Sequence, residues 1–319
     1  MAAYNAEDYL REAVDSILTQ SFTDFEFVII EDGSKDSTQS ILKEYEDKDA
    51  RVKLIIHDKN KGLIASLNDG LKLARGRYIA RMDADDISLP ERLSAQFNYL
   101  ENSPEAVVVG LQSAYMDDSG SVYGIEPFLM HDHEIRIQLA IRSGQFRHGA
   151  MMFRNSIVKE HKLYYSPDAL YYEDYEYWSR LLSYGIGENL RSVLYYYRKT
   201  DTSITATKGE QMVTGVNTLL QLQKDKLKLP SFGLLSFKHA YQAREDYMPA
   251  SILLEGRIFE TKFQWLYQSY LLGLGKLYMT KKRYVSGLLC AIASFVIQPI
   301  RFTHELFRYV VLGDRTRML

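Results

Sequence analysis

The sequence predicts an α/β fold, a Rossmann-like and mostly parallel sheet over residues 1–205, with a helical region over 206–319. Helical and strand patterns alternate through the first hundred residues, and the strand runs are continuous in β-branched and aromatic residues, as strands buried on both faces are. Those runs stop at polar turns, 31–34 (Glu-Asp-Gly-Ser), 58–62 (Asp-Lys-Asn-Lys-Gly) and 83–86 (Asp-Ala-Asp-Asp). A parallel sheet gathers such turns along one edge, where open α/β folds bind ligands.

Taken in order, Asn5 is a good N-cap with Asp8 at the third helical position, and Leu10, Val14, Ile17 and Leu18 recur on one face. This predicts a helix ending near Gln20. A strand follows at 25–30, a helix at 36–45, a strand at 52–56, and a helix at 63–74 in which Leu67 and Leu71 sit one turn apart. Residues 78–82 read as a buried parallel strand, and another helix begins near Pro90. The first helix lacks a preceding strand, which a doubly wound sheet would place at its centre. Met1-Ala2-Ala3 reads as the tail of one. The expectation is a truncated first strand, with the coding start upstream and Met1 internal.

Composition narrows the function. The chain has 319 residues, 46% of them hydrophobic, enough for a substantial core. A formal charge of -2 gives no global attraction to nucleic acid. The single cysteine, Cys290, excludes internal disulfides and cysteine-based zinc sites. Tyrosine is frequent, at 24 residues, which suits either packed cores or sugar-stacking and membrane-interface surfaces. No secretory leader opens the chain.

The richest segment is 78–86, an apolar run ending in Asp83, Asp85 and Asp86. Three acids at a strand end repel one another unless a hard divalent cation lies between them, bridging carboxylates to phosphates. A solvated turn capping the next helix is the competing reading. A dehydrogenase is disfavoured because no G-x-G-x-x-G stands at the first turn. A D-x-D phosphatase would use Asp83 as nucleophile, yet Ile87 occupies the position its pattern gives to Thr or Val.

Taken together, Ala3-Tyr4-Asn5-Ala6-Glu7, Gln20-Ser21-Phe22, Glu31-Asp32-Gly33-Ser34, Asn60-Lys61-Gly62, Asn68-x-Gly70, Gly76-x-Tyr78-Ile79 and Asp83-Ala84-Asp85-Asp86 resemble the family 2 glycosyltransferases of GT-A fold. The resemblance covers about residues 1–205. It implies an inverting enzyme of bacterial polysaccharide or lipid-linked glycan type that takes a nucleotide-sugar donor with Mn2+ or Mg2+. It places Asp32 at the nucleobase, with Ala3, Tyr4, Glu7, Lys61 and Gly62 near the nucleotide. Asp85 becomes the metal ligand, with Asp83 between the ribose and the metal. The segment Glu173-Asp174-Tyr175-Glu176-Tyr177-Trp178 matches the family's E-D-x-[DE]-x-W pattern and implies Asp174 as general base, with Glu173 its competitor. A carboxylate at a helix N-terminus is favoured in its ionised form, which suits that role; simple capping is the alternative. His148, Trp178 and Arg198 fall on the acceptor or diphosphate side. Two departures stand out: Gly149 and Ala150 replace Pro and Ser of a His-Pro-Ser segment, and Thr200 replaces a histidine.

Beyond residue 206 the pattern is helical. Residues 284–297 are apolar after Lys281-Lys282-Arg283, too short to span a bilayer but suited to a helix lying in the membrane interface. An ordinary helical core is the alternative. With the resemblance, an interfacial tail implies a cytoplasmic protein at the inner face of the plasma membrane, acting on a glycan or lipid-linked acceptor. A non-catalytic nucleotide-sugar-binding remnant remains the rival reading, because of the truncated first strand.

Overall fold

A computed structural model describes residues 1–132, 135–136, 139, 146–200 and 204–227. In chain order the elements are β1 (Ala2–Ala3), α1 (Leu10–Leu18), β2 (Phe27–Glu31), α2 (Thr38–Lys48), β3 (Val52–Ile56) and α3 (Leu63–Leu73). Next come β4 (Tyr78–Ala80), β5 (Ile87–Ser88), α4 (Arg92–Asn102), β6 (Ala106–Met116) and β7 (Val122–Glu126). A 3-10 turn (His148–Ala150) leads to β8 (Met152–Arg154), α5 (Asn155–His161), α6 (Glu173–Leu181), β9 (Ile186–Arg198) and α7 (Ile204–Leu227).

Two sheets result. The first has the parallel order β1-β2-β3, with Ala3 opposite Glu31 and Ile30 opposite Ile55. β1 thus ends this ladder among the described residues. The second has the order β4-β8-β6-β9-β5, with β7 paired to β6, and its long central pair β6 and β9 is parallel. One core joins them: Leu10, Val14 and Ile17 of α1, Ile29 of β2 and Leu42 of α2 pack with Met82, Ala84, Leu111, Ala150 and Tyr195. Burial of that shared apolar surface fixes the acidic turn after β4 between the sheets.

The α/β architecture follows the sequence, with three local differences. The strand expected at 78–82 is shorter and antiparallel, with Tyr78 opposite Arg154 and Ala80 opposite Met152. A short apolar run carries no signal of direction, and Ala80 is exposed. Asn5 does not cap α1, whose N-cap is Tyr9. Asn5 sits instead in a left-handed turn, φ 47°, where its N–H donates to Ser34 Oγ at 3.0 Å. Finally, the compact unit holding both sheets runs Met1–Leu227 and so includes α7, past the boundary expected near 205. α7 approaches α6 closely, with Gly215 against the Tyr172 ring. Among the described residues no helix is long and apolar enough to cross a membrane. The apolar run at 284–297 lies outside the described residues.

Candidate active site

The turns after β1, β2 and β3 are laced together at one edge. Glu7 Oε2 accepts the Ser37 N–H at 2.9 Å, Asp36 Oδ2 accepts the Glu7 N–H at 3.1 Å, and Thr38 Oγ1 accepts the Ala6 N–H at 2.8 Å. Glu7, expected near the nucleotide, therefore braces the start of α2. Ala3 is buried and its carbonyl accepts the Asp32 N–H at 2.9 Å. Asp32 itself is buried. Its Oδ1 accepts the Lys61 N–H at 2.9 Å and meets His57 Nδ1 at 2.7 Å, while Oδ2 accepts the Gly62 N–H at 2.8 Å. The carboxylate thus ties the β3–α3 loop to β2. Gly33, at φ 71°, lets the neighbouring loop pass, since a Cβ there would lie 2.5 Å from the Lys59 carbonyl carbon. Tyr4 and Lys61 are both exposed.

The acids after β4 have three different environments. Asp83 is half-buried and paired with the buried guanidinium of Arg81. Burial opposes its ionisation, but Arg81, with His148 and Arg147 behind it, prevails and holds its pKa below the usual carboxylate range. Asp85 lacks such a partner: burial, and then the charge of Asp83, push it up to about 6. Asp86 is fully buried, accepting the Tyr195 hydroxyl at 2.8 Å and the Arg198 N–H at 2.8 Å. Burial and the charges of Asp85 and Asp83 raise its pKa well above normal. Asp86 therefore anchors the loop, while Asp83 and Asp85 are only half-buried beside it. The Arg81 and Arg198 charges only partly offset the rise in Asp85, and two such carboxylates are of the type a hard divalent cation takes together with phosphate and water. Among the described residues no group of three or more side chains forms a fuller metal cluster.

At the start of α6, Glu173 is buried and Asp174 half-buried. Burial, reinforced by the charge of Asp174, lifts Glu173 to about 7. Burial also raises Asp174, against a Tyr175 N–H bond and the cations Arg147 and Arg81. Those two guanidiniums act on Asp83 as well, so acids from both halves of the chain share one electrostatic field. His148 completes the floor, with Nε2 2.9 Å from the Tyr165 hydroxyl. Burial, and then Arg81, drop its pKa well below normal, so the ring is neutral.

Two expected site residues are deeply buried. Trp178 is 2% exposed and packs edge-on against Phe146, His148, Phe153 and Tyr177. Arg198 is 1% exposed, and its guanidinium is committed to Asp85 O at 2.8 Å, Asp117 O at 3.1 Å and Glu12 Oε2 at 2.7 Å. Buried and engaged in these bonds, it holds the acidic loop at the Asp85 carbonyl. Sequence reasoning missed Arg81 and Tyr195. A lone arginine inside an apolar strand run was the available signal for the first; nothing local marked the second, 109 residues from the Asp86 it meets.

A parallel β-α-β half whose strand ends meet an acidic loop, packed through one core onto a mixed sheet that brings a second acid pair, defines the GT-A type of α/β transferase fold. The sequence profile described as Glycosyl transferase family 2 matches residues 1–161, and the chain belongs to that family. An uncharacterized glycosyltransferase of Haemophilus influenzae is 34% identical over 207 residues, 62% of this chain and 64% of the relative, so the chain spans a little under two thirds of that protein. WfaP of Escherichia coli, a UDP-Glc:α-D-GlcNAc-diphosphoundecaprenol β-1,3-glucosyltransferase, is 29% identical over 220 residues, 69% of this chain and 83% of WfaP. The fold is similar to that of Staphylococcus aureus TarS 1–349, solved also in complex with UDP-GlcNAc, with a TM-score of 0.58 at 17% identity over 92% of this chain and 87% of TarS 1–349.

Proposed function

We propose that the protein is a metal-dependent inverting glycosyltransferase. It moves a sugar from a nucleoside diphosphate sugar, a UDP-sugar by preference, to a hydroxyl of a glycan or lipid-linked acceptor in cell-surface polysaccharide synthesis. The observation that carries the reading is the 148–150 turn, where Gly149 lies against Asp83 of the acidic loop and the neighbouring His148 ring packs on Trp178 of α6, 5.9 Å between centroids. This turn supports placing the donor-side acids and the acids of α6 around one reacting centre, as displacement at an anomeric carbon requires.

Each residue has a stated task. Tyr4, Asp32 and the Lys61–Gly62 backbone frame the nucleoside. Asp83 and Asp85 would hold Mn2+ or Mg2+, which when bound offsets the charge growing on the departing diphosphate. Asp174 takes the acceptor proton. It is preferred over Glu173 because the charge of Asp174 is among the causes that keep Glu173 protonated up to about 7, so Asp174 ionises first. The neutral His148 ring, fixed by Tyr165, lines the acceptor side. The acceptor of WfaP, a diphosphoundecaprenol-linked sugar, supports a lipid-linked acceptor here, and the basic, amphiphilic segment 281–311 supports placement at the cytoplasmic face of the membrane.

The test is calorimetry with UDP and Mn2+ alongside a transfer assay. Asp85→Ala should lose metal-dependent UDP binding. Asp174→Asn should keep that binding and lose roughly a thousandfold in kcat, the scale of a general base. An Asp174→Asn protein with unchanged turnover overturns the assignment.

A further inference from the structure

Three tyrosines line up across adjacent strands of the second sheet: Tyr123 on β7, Tyr115 on β6 and Tyr197 on β9. Tyr115 and Tyr197 are register partners, and their rings meet edge-on at 6.3 Å. The Tyr123 ring stacks on Tyr115, with centroids 5.9 Å apart and planes 15° apart. Side chains alternate along a strand, so Tyr197 shares its face with Tyr195, whose hydroxyl donates to Asp86 under the acidic loop. The row therefore begins beneath the reaction site and runs outward. Tyr195 is buried, Tyr197 and Tyr115 are half-buried, and Tyr123 is 58% exposed.

Cations edge the row. The Arg147 guanidinium sits 3.9 Å from the Tyr197 centroid, and Lys199 Nζ lies 5.6 Å from that of Tyr115. Arg147 is paired with Glu126 and is the same residue whose charge acts on Asp83 and Asp174. The aromatic row is thus continuous with the crevice. Its chemistry is mixed: apolar ring faces with polar rims, edged by Glu126 and Lys199. That combination suits a ligand with one C–H face and a hydroxylated edge, which is a pyranose ring. β7 also exposes Val122 and Ile125 beside Tyr123, but the Glu126 and Lys199 charges at the row favour a hydroxylated ligand over a protein partner, whose contact would have few charges at its centre.

We propose that the Tyr123–Tyr115–Tyr197 row is an acceptor subsite that seats a pyranose ring of the acceptor glycan by stacking on its exposed Tyr123 end, with Lys199 at its edge available to an anionic group on that glycan. The assignment rests on the glycosyltransferase reading and adds a specificity-determining surface outside the donor machinery.

The full-length protein, saturated with UDP and Mn2+, is examined by saturation-transfer NMR with the methyl glycosides of glucose, galactose, mannose and N-acetylglucosamine, and with cellobiose and maltose. At least one of these should receive saturation at its ring C–H protons. The signal should fall fivefold or more in Tyr123→Ala and in Tyr115→Ala and persist in Tyr123→Phe, with UDP affinity unchanged within twofold and melting behaviour preserved. No saccharide signal in the wild type, or a signal that survives both alanine changes, overturns the subsite and leaves the donor reading standing. Alanine variants that keep sugar binding but lose self-association or vesicle binding overturn it in favour of an interface. The UDP titration is read separately: a wild type that does not bind UDP overturns the donor reading, and this assignment with it.

Discussion

Position 149 admits only a hydrogen. A Cβ there would lie 2.1 Å from the Tyr195 hydroxyl and 2.6 Å from Asp83 Oδ2, so the residue that replaces proline in the family's segment is the one that lets the 148–150 turn close on the acids. Gly149→Ala should cost about 1–3 kcal/mol of stability through overpacking and, by displacing Asp83, lower kcat/KM for the donor roughly tenfold or more. Denaturant melts and donor-dependent kinetics check the two halves separately. Glu173 gives a pH prediction. Its ordinary pKa of 4.5 is lifted to about 7 in the fold, so between these values the folded state binds more protons than the unfolded one. Stability should therefore fall as pH rises through that window, by an amount on the order of 3 kcal/mol at most. Glu173→Gln should remove the slope, raising Tm relative to wild type at pH 8 and leaving it unchanged at pH 4.

The elements around the acidic loop are held by a buried polar plug on α4. Arg92 donates to Arg81 O at 2.6 Å and Ser88 Oγ at 2.8 Å, and Gln96 donates to Val109 O at 3.0 Å and Ala150 O at 2.8 Å. These carbonyls belong to the ends and interiors of β4, β6 and the 148–150 turn, where no water replaces the lost donors. Gln96→Leu leaves two buried acceptors unpaired and should destabilise the protein by about 1–3 kcal/mol per acceptor, read as a shift in urea midpoint at constant m-value. This plug also shows where the sequence ran out. The strand at 52–56 and the helix from Leu63 were legible because local apolar periodicity determines them. The antiparallel direction of β4, the pairing of β6 with β9 and the tasks of Arg92, Tyr195 and Arg198 were not, because each depends on partners far along the chain. Neither β6 nor β9 was assigned from the sequence, although both are rich in apolar and aromatic residues. The candidate carboxylates came from ordered motifs, whereas the arginines that bias them were readable only from geometry.

The molecule divides after Leu227 into two compact units, and both sheets, the acidic loop and the acids of α6 lie in the first. Everything proposed for donor binding thus belongs to residues 1–227, while the basic and amphiphilic segment proposed for the membrane, 281–311, belongs to the second. Binding of UDP and attachment to a membrane should consequently separate. A chain ending at residue 227 retains the core that joins α1, β2 and α2 to Met82, Leu111 and Tyr195, so it should unfold cooperatively and bind UDP with Mn2+ within a fewfold of the full chain's affinity. Cosedimentation with vesicles containing anionic lipid should be lost in that chain, and in the full chain it should weaken as salt rises, because screening shortens the reach of Lys281, Lys282 and Arg283. A truncated protein that still pellets with vesicles would move the membrane contact into the first unit, where Arg75, Arg77 and Lys159 line a cavity of about 310 Å³ at the start of β4. Replacing those three by glutamine would then abolish the residual binding if that cavity is responsible, and would leave UDP affinity unchanged, since the cavity lies at the Tyr78 end of β4, opposite Arg154, and the acids follow the other end.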